Sequence, residues 1–268
     1  MSQQPPIRVA VCADPPHEVP LQQRADEIAR SLQIEKTKVG QPDCDLLLAV
    51  TLDRLELRTL RGEADVVGGL PVYSDLTAID TTSPAGRKLD VPLLKAVGIR
   101  KGAKSRPTLI DCTAGLGEDT WLLASHGCGV IAIERQPVVA TLLEDALRRA
   151  SGSLPDTASR ITQHTGDASE WLASVCQKQS PAIDAIVIDP MFPMVRKAKE
   201  RKPMRVLRLL AGDDDDAPEL LDTALNTGIH RVCVKRPLKA PAITNEKRPA
   251  PDVVHKGKAV RFDVYLNH

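Results

Sequence analysis

The sequence predicts an α/β protein. Its main part is a mostly parallel sheet with helices on both faces, preceded by a small N-terminal α/β subdomain. Three observations carry this prediction. From Pro107 onward, short apolar runs alternate with amphipathic helical segments. The first run leads into a turn of small residues, Asp111-Cys112-Thr113-Ala114-Gly115-Leu116-Gly117. Acids then stand at or just after the ends of successive runs, at Glu134, Asp167 and Asp189.

Taken in order, residues 7–11 (Ile-Arg-Val-Ala-Val) read as a strand. Residues 21–32 put Leu21, Ala25, Ile28, Ala29 and Leu32 on one helical face. Residues 46–50 and 52–60 alternate as a hairpin, which completes a subdomain over 1–70 with no catalytic constellation. Residues 71–86 are polar and turn-rich and read as a linker. A short helix at 89–97 follows, so 71–104 connects the subdomain to a domain over 105–268. There, strands are expected at 109–112, 130–134, 160–164, 185–189, 231–235 and 260–266. Helices are expected at 118–125, 138–150, 169–177, 204–210 and 218–225. In such a sheet, ligands bind beyond the carboxyl ends of the strands.

A chain of 268 residues with 42% hydrophobic content fits one large domain with a small appendage. No apolar stretch approaches a membrane span. Residues 1–6 (Met-Ser-Gln-Gln-Pro-Pro) lack a basic-then-apolar secretory pattern, so a cytoplasmic location is expected. Cys12, Cys44, Cys112, Cys128, Cys176 and Cys233 form no Cys-x-x-Cys pair, and the six histidines have no metal-ligand spacing. Buried thiols and no metal are expected. The net charge of +1 hides an asymmetry. Between 196 and 208, seven Lys or Arg face one acid, and between 231 and 261, nine face two. Such a molecule can hold an anion on one face while near neutral overall. Aromatic content of 2% argues against extended single-strand binding on stacked rings.

The apolar run 185–188 ends in Asp189-Pro190-Met191-Phe192-Pro193. Two readings stand for the pentapeptide alone: an ordinary Asp-Pro turn, or a site for an exocyclic amine of a nucleobase. Such an amine is a poor nucleophile because its lone pair is delocalised into the ring. A carboxylate and a main-chain carbonyl that accept its two N–H bonds draw that lone pair out of conjugation. An aromatic face holds the flat base. In the 111–117 turn, small residues let the backbone approach a ligand closely. A dinucleotide fingerprint would need a third glycine where this chain has Thr120, which argues against NAD. The ordered acids match the way class I methyltransferases hold S-adenosylmethionine. In that pattern the strand-two acid, Glu134, meets both ribose hydroxyls, and Asp167 meets the adenine amine. Asp167 equally suits a helix N-cap.

Beyond these features, the segments 111–117, 134–140, 189–193, Lys202-Pro203-Met204-Arg205 and Val234-Lys235-Arg236-Pro237 with Ala240-Pro241 resemble one family. It is the bacterial J-type small-subunit ribosomal RNA methyltransferase, and the resemblance spans about 105–266. It implies a class I methyltransferase, Rossmann-like fold, S-adenosylmethionine as cofactor, and methylation of N2 of a guanine in 16S ribosomal RNA. The implied cofactor residues are Glu118, Asp119, Glu134, Arg135, Asp167, Ala168 and Asp189, and the glycine turn adds Asp111, Gly115 and Gly117. The residues expected to be catalytic are Asp189, Pro190 and Phe192. The family commonly has Arg-Asp where this chain has Glu118-Asp119, and two serines in place of Asp167-Ala168. Arg196, Lys197, Lys199, Arg201, Lys202, Arg205, Lys235, Arg236 and Lys239 are expected to hold RNA phosphates, although a solvated helix face is the usual fate of a charge run. His164 and Trp171 read as packing residues. The competing functions are an amino methyltransferase acting on adenine N6 or another amine, and a non-catalytic RNA-binding assembly factor.

Overall fold

The computed structural model describes residues 7–40, 43–61, 67, 69–103, 105–177, 183–191, 202–212, 216–244 and 248–267, without the side chains of 175–177 and 202. Two sheets organise it. In the smaller, β1 (Val9–Ala13) lies between β2 (Glu35–Lys36) and β3 (Leu46–Val50), parallel to both, and β4 (Leu55–Thr59) returns antiparallel to β3. The β3–β4 turn is tied by Thr51, whose Oγ1 accepts from Arg54 N at 3.1 Å and donates to the Arg54 carbonyl at 2.8 Å. Residues 52–54 are therefore turn, not strand. α1 (Val19–Leu32) starts at Pro20 in its first turn, where a missing N–H costs nothing. It buries Ala25 and Ile28 on the sheet face made by Val11, Ala13, Leu46, Leu48, Leu55 and Leu57.

The segment from 71 to 91 is held along its path. Val72 bridges Leu57, and a single 3-10 turn at Leu76–Ala78 buries Leu76. The helix expected at 89–97 is only α2 (Pro92–Ala96).

The larger sheet contains the parallel strands β5 (Thr108–Asp111), β6 (Gly129–Glu134), β7 (Ile161–Thr165), β8 (Ala185–Ile188) and β9 (Arg231–Pro237). β10 (Val253–Lys256) and β11 (Val260–Leu266) complete it, and both pairings of β11 are antiparallel. The order is β10-β11-β9-β8-β5-β6-β7, so the winding reverses beside β5. Period-two alternation feeds both faces. Leu109, Val130, Val187, Cys233 and Phe262 pack under α2 and α3 (Glu118–Ser125). Ile110, Ile133, Ile186, Val232 and Tyr265 pack under α6 (Ala168–Gln177) and α8 (Ala217–Asn226). α4 (Pro137–Ser153), the short α5 (Pro155–Ala158) and α7 (Lys202–Ala211) complete the helices. The smaller sheet is not separate from this body. Val138 and Leu142 of α4 and Val206 of α7 belong to its core.

Asp145 on α4 fastens the same junction. Its side chain is 1% exposed and accepts from Arg24 of α1 at 3.0 Å, Arg148 and Arg149 at 2.8 Å, and the backbone N–H of Leu55 at 3.0 Å. Burial opposes its ionisation, but the arginines and the backbone bond outweigh burial and lower its pKa.

Candidate functional site

The carboxyl ends of β5, β6, β8 and β9 converge on one cavity of about 300 Å³. Strand register decides which side chains meet there. β8 pairs with β9 through Ile188 and Val234, so the next residues, Asp189 and Lys235, emerge side by side. Lys235 Nζ lies 2.9 Å from Asp189 Oδ2 and 2.7 Å from Asp119 Oδ2, with its side chain 22% exposed. Burial opposes the ammonium charge, but the two carboxylates outweigh it and raise the Lys235 pKa.

Asp111 ends β5 beneath this trio. Its Oδ2 accepts from Thr120 Oγ1 at 2.5 Å and its Oδ1 from Thr113 N at 3.2 Å. Burial pushes its pKa up to about 7, the Thr120 bond acts against that, and Asp119 and Asp189 add to it. A carboxyl group at that value changes charge near neutral pH.

The glycine turn is braced from both sides. Gly115 N donates to Glu134 Oε2 and Gln136 N to Glu134 Oε1, both at 2.8 Å. Glu134 is thus locked at the cavity wall by the turn it faces. Gly117 precedes α3 at φ +86°, and a Cβ there would overlap Leu143 Cδ1 and lie 3.2 Å from Leu76 Cδ2. Only glycine suits both that backbone and that space. Thr113 Oγ1 accepts from Asp189 N at 2.6 Å, which ties the end of β8 to the turn. From the far side, Ser74 Oγ donates to the Leu116 carbonyl at 2.6 Å, and Arg149 Nη2 donates to the Ser74 carbonyl.

The cavity is lined by Asp111, Gly115, Gly117, Glu118, Asp119, Glu134, Arg135, Asp167, Ala168, Asp189 and Pro190, residues that the sequence spreads over 80 positions. Asp167 caps α6, since its Oδ1 accepts from Ser169 N at 2.8 Å and Glu170 N at 3.1 Å, and it also faces the cavity. Arg135 reaches across to Asp216 at 2.7 Å, joining the end of β6 to the start of α8. Met204 and Leu207 of α7 and Leu220 of α8 supply an apolar wall. A cavity with acids on one side and an apolar wall on the other suits a ligand with paired hydroxyls, a cationic part and a flat apolar part.

The residues expected at phosphates divide differently. Lys235 is a cavity residue, because the β8–β9 register turns it towards Asp189. Arg236 points away and is buried, with Nε donating to the Pro241 carbonyl at 2.8 Å, and burial lowers its pKa. The expectation that Arg236 holds a phosphate is corrected, and Lys235 lines the cavity. Arg205 is half-buried on α7, and Lys239 is exposed after β9. Phe192, Arg196, Lys197, Lys199 and Arg201, and the side chain of Lys202, lie outside the described residues. Among the described residues no His, Cys, Asp and Glu group has metal-binding geometry, and Cys12, Cys44, Cys112, Cys128 and Cys233 are buried free thiols. No described helix is long and apolar enough to cross a membrane.

Sequence reasoning missed the roles of Thr113, Thr120 and Ser74 and the true place of Lys235. Lys235 had a readable signal. It is a charged residue at the carboxyl end of a buried strand, the same position as Asp111, Glu134 and Asp189.

The family described as putative SAM-dependent methyltransferase, SAM being S-adenosylmethionine, matches residues 28–267. A Coxiella burnetii protein named ribosomal RNA small subunit methyltransferase J is 40% identical over 247 residues, covering 90% of this chain and 91% of its own. The Chromohalobacter salexigens protein of that name is 40% identical over 253 residues, covering 92% and 94%. The crystal structure of a SAM-dependent methyltransferase from Neisseria gonorrhoeae superposes with a TM-score of 0.68 at 31% identity, covering 97% of this chain and 96% of that one.

Proposed function

The chain belongs to the SAM-dependent methyltransferase family that includes the proteins named ribosomal RNA small subunit methyltransferase J, and from that premise we propose that it methylates N2 of a guanine in 16S ribosomal RNA. The observation that carries the acceptor chemistry is Asp189-Pro190 at the end of β8, fastened by Thr113 to the cofactor turn. In this reading residues 105–268 form the methyltransferase domain, and the unit over 1–70 buttresses it.

The cofactor supplies an electrophilic methyl group on a sulfonium. Glu134 positions the glycine turn and presents its carboxylate to the ribose hydroxyls. Asp167 serves the adenine end, beside Ala168 and the apolar wall of Met204 and Leu207. Glu118, Asp119 and Arg135 flank the remaining contacts. The carboxylates of Asp119 and Asp189 face the cavity that a cationic ligand would enter. Asp189 and the Pro190 carbonyl accept the two N–H bonds of the guanine amine and aim its lone pair at the methyl carbon. Phe192 stacks on the base. Holding the two reactants in line can be worth ~7–11 kcal/mol in favourable systems. The amine turns acidic once methylated, so Asp189 need not be a strong base. Lys239 and Arg205, with the 196–202 run, engage RNA phosphates.

Incubating the protein with S-adenosylmethionine and either naked 16S RNA or small-subunit particles tests this reading. N2-methylguanosine at one mapped position is expected by nucleoside mass spectrometry. Methylation at adenine N6 would move the assignment to another amine, and cofactor binding without methyl transfer would support an assembly factor.

Two expected results concern the cofactor. Glu134→Ala should weaken S-adenosylmethionine binding by about 1.5–3 kcal/mol, the scale of hydrogen bonds to a charged group. Its removal also frees Gly115 N. Calorimetric titration checks this, and unchanged affinity in a folded variant would take Glu134 out of the site. The second concerns Asp111, whose pKa stands at about 7. A cation bound nearby favours the ionised carboxylate. Binding should therefore release protons near pH 7 and tighten as pH rises through that value. Titrations in buffers of different ionisation enthalpy count the protons, and Asp111→Asn should reduce that count. Buffer-independent enthalpy would dismiss the linkage.

A further inference from the structure

We propose that Lys235 is a specificity-determining residue that donates a hydrogen bond to O6 of the guanine whose amine rests on Asp189. The inference deepens the proposed guanine-N2 function and rests on it. A lysine ammonium has three N–H donors. In Lys235, one goes to Asp119 at 2.7 Å and one to Asp189 at 2.9 Å. The third is available to a ligand in the cavity that Lys235 lines. The side chain is too buried to sweep freely, and two carboxylates hold its head in place.

This pair presents a definite pattern. Along its Watson–Crick edge guanine offers an amine donor at N2, a donor at N1 and an acceptor at O6. A flipped base is read on that edge. A carboxylate with an ammonium beside it offers two acceptors and then a donor, which is the complement. Adenine offers an amine donor and a ring acceptor. Adenine can match the pair only in a register shifted by one group, with N6 and N1 where guanine places N1 and O6, which leaves one carboxylate acceptor unmet and moves the amine off the place N2 takes. A base in the wrong register leaves a polar group of this part-exposed site without its partner, which lowers its capture. The order of the pattern follows from the β8–β9 register at Ile188 and Val234. The anchor at Asp119 belongs to the first turn of α3, so the cofactor turn and the base-reading group move as one body.

A two-by-two rate comparison tests the proposal. The substrate is small-subunit RNA with either guanosine or 6-thioguanosine at the mapped target. The sulfur analogue keeps N2 and N1–H but replaces O6 with a poor acceptor. The enzymes are wild type and Lys235→Met, in single-turnover transfer at saturating cofactor and RNA. The thio substitution should slow wild type by about 10-fold or more, the scale of one hydrogen bond to a charged donor. It should slow Lys235→Met by less than about 2-fold. Any general effect of the mutation on Asp189 acts equally on both RNAs and cancels. Lys235→Gln keeps an N–H donor and should retain part of the sensitivity, which covers the case in which the methionine variant misfolds. Equal thio penalties in wild type and the variants would overturn the proposal and leave guanine-N2 methylation standing. Equal penalties with weakened cofactor binding would instead place Lys235 at the cofactor's carboxylate. Absence of guanine-N2 methylation by wild type would overturn both.

Discussion

Asp189→Ala should lower the single-turnover methyl-transfer rate by roughly 10²–10⁴-fold, the range for loss of a positioned catalytic group, with cofactor affinity changed far less. The carboxylate matters most as the amine rehybridises, so its removal acts on the transfer rate more than on binding. The fold should survive. Asp189 lies at the cavity rim with its side chain 39% exposed, and the Thr113 bond is made by its backbone N–H, which alanine keeps. Lys235 would retain Asp119 at 2.7 Å as its partner. Asp189→Asn keeps an acceptor but adds a donor facing Lys235, and should fall between wild type and alanine. Near-wild-type transfer by a folded Asp189→Ala protein would leave the motif as an ordinary turn.

The other large effect lies away from the chemistry. Asp145→Ala should destabilise the protein by about 3–5 kcal/mol, the cost of removing one partner from a buried ionic cluster. That is a large share of the ~5–15 kcal/mol that holds a typical domain. Arg24 and Arg149 are largely buried and would lose their carboxylate, and Leu55 N would lose its acceptor. The sign of the pH dependence follows from the direction of the shift. The folded state lowers the pKa of Asp145 below the ordinary aspartate value of 3.8. Its contribution is therefore complete above about pH 4 and fades as pH falls through the lower, folded value. Urea unfolding of wild type and variant at pH 7 should show the full gap, and the gap should narrow in acid. A gap under about 1 kcal/mol at pH 7 would show that the arginines find other partners.

The larger sheet was legible because buried parallel strands and amphipathic helices leave strong periodic patterns. The helix at Glu118–Ser125 and the strand at Val260–Leu266 fell at their expected bounds. β2 and β10 left no such trace. One has two residues, and the other is an edge strand with three of its four residues exposed. α5 is a single turn with no buried residue. At the site, acids at strand ends and small residues in a turn are one-dimensional signals, and they located the cavity. Lys235 and Arg236 were read alike because a basic dipeptide does not disclose that one side chain turns inward beside Asp189 while its neighbour is buried on the other face. Asp145 was invisible for a related reason. Its arginine at position 24 and its backbone donor at 55 are neighbours only in three dimensions.

Ser74 has a consequence for how the chain can be cut. It lies in the connecting segment, yet its hydroxyl holds the Leu116 carbonyl and its own carbonyl receives Arg149. Two residues on, Leu76 fills the space under Gly117. A fragment beginning at residue 105 would keep every residue proposed to touch the cofactor. It would lose the floor of the glycine turn and lay bare Val138, Leu142 and Val206. The segment before residue 105 is thus part of the catalytic body, and calorimetry of the intact chain should record one melting transition, since two would mean the sheets unfold independently. Insertions and fusions belong in the chain on the far side of the smaller sheet, and a minimal enzyme made by trimming the amino-terminal unit would be a collapsed pocket on an exposed apolar face.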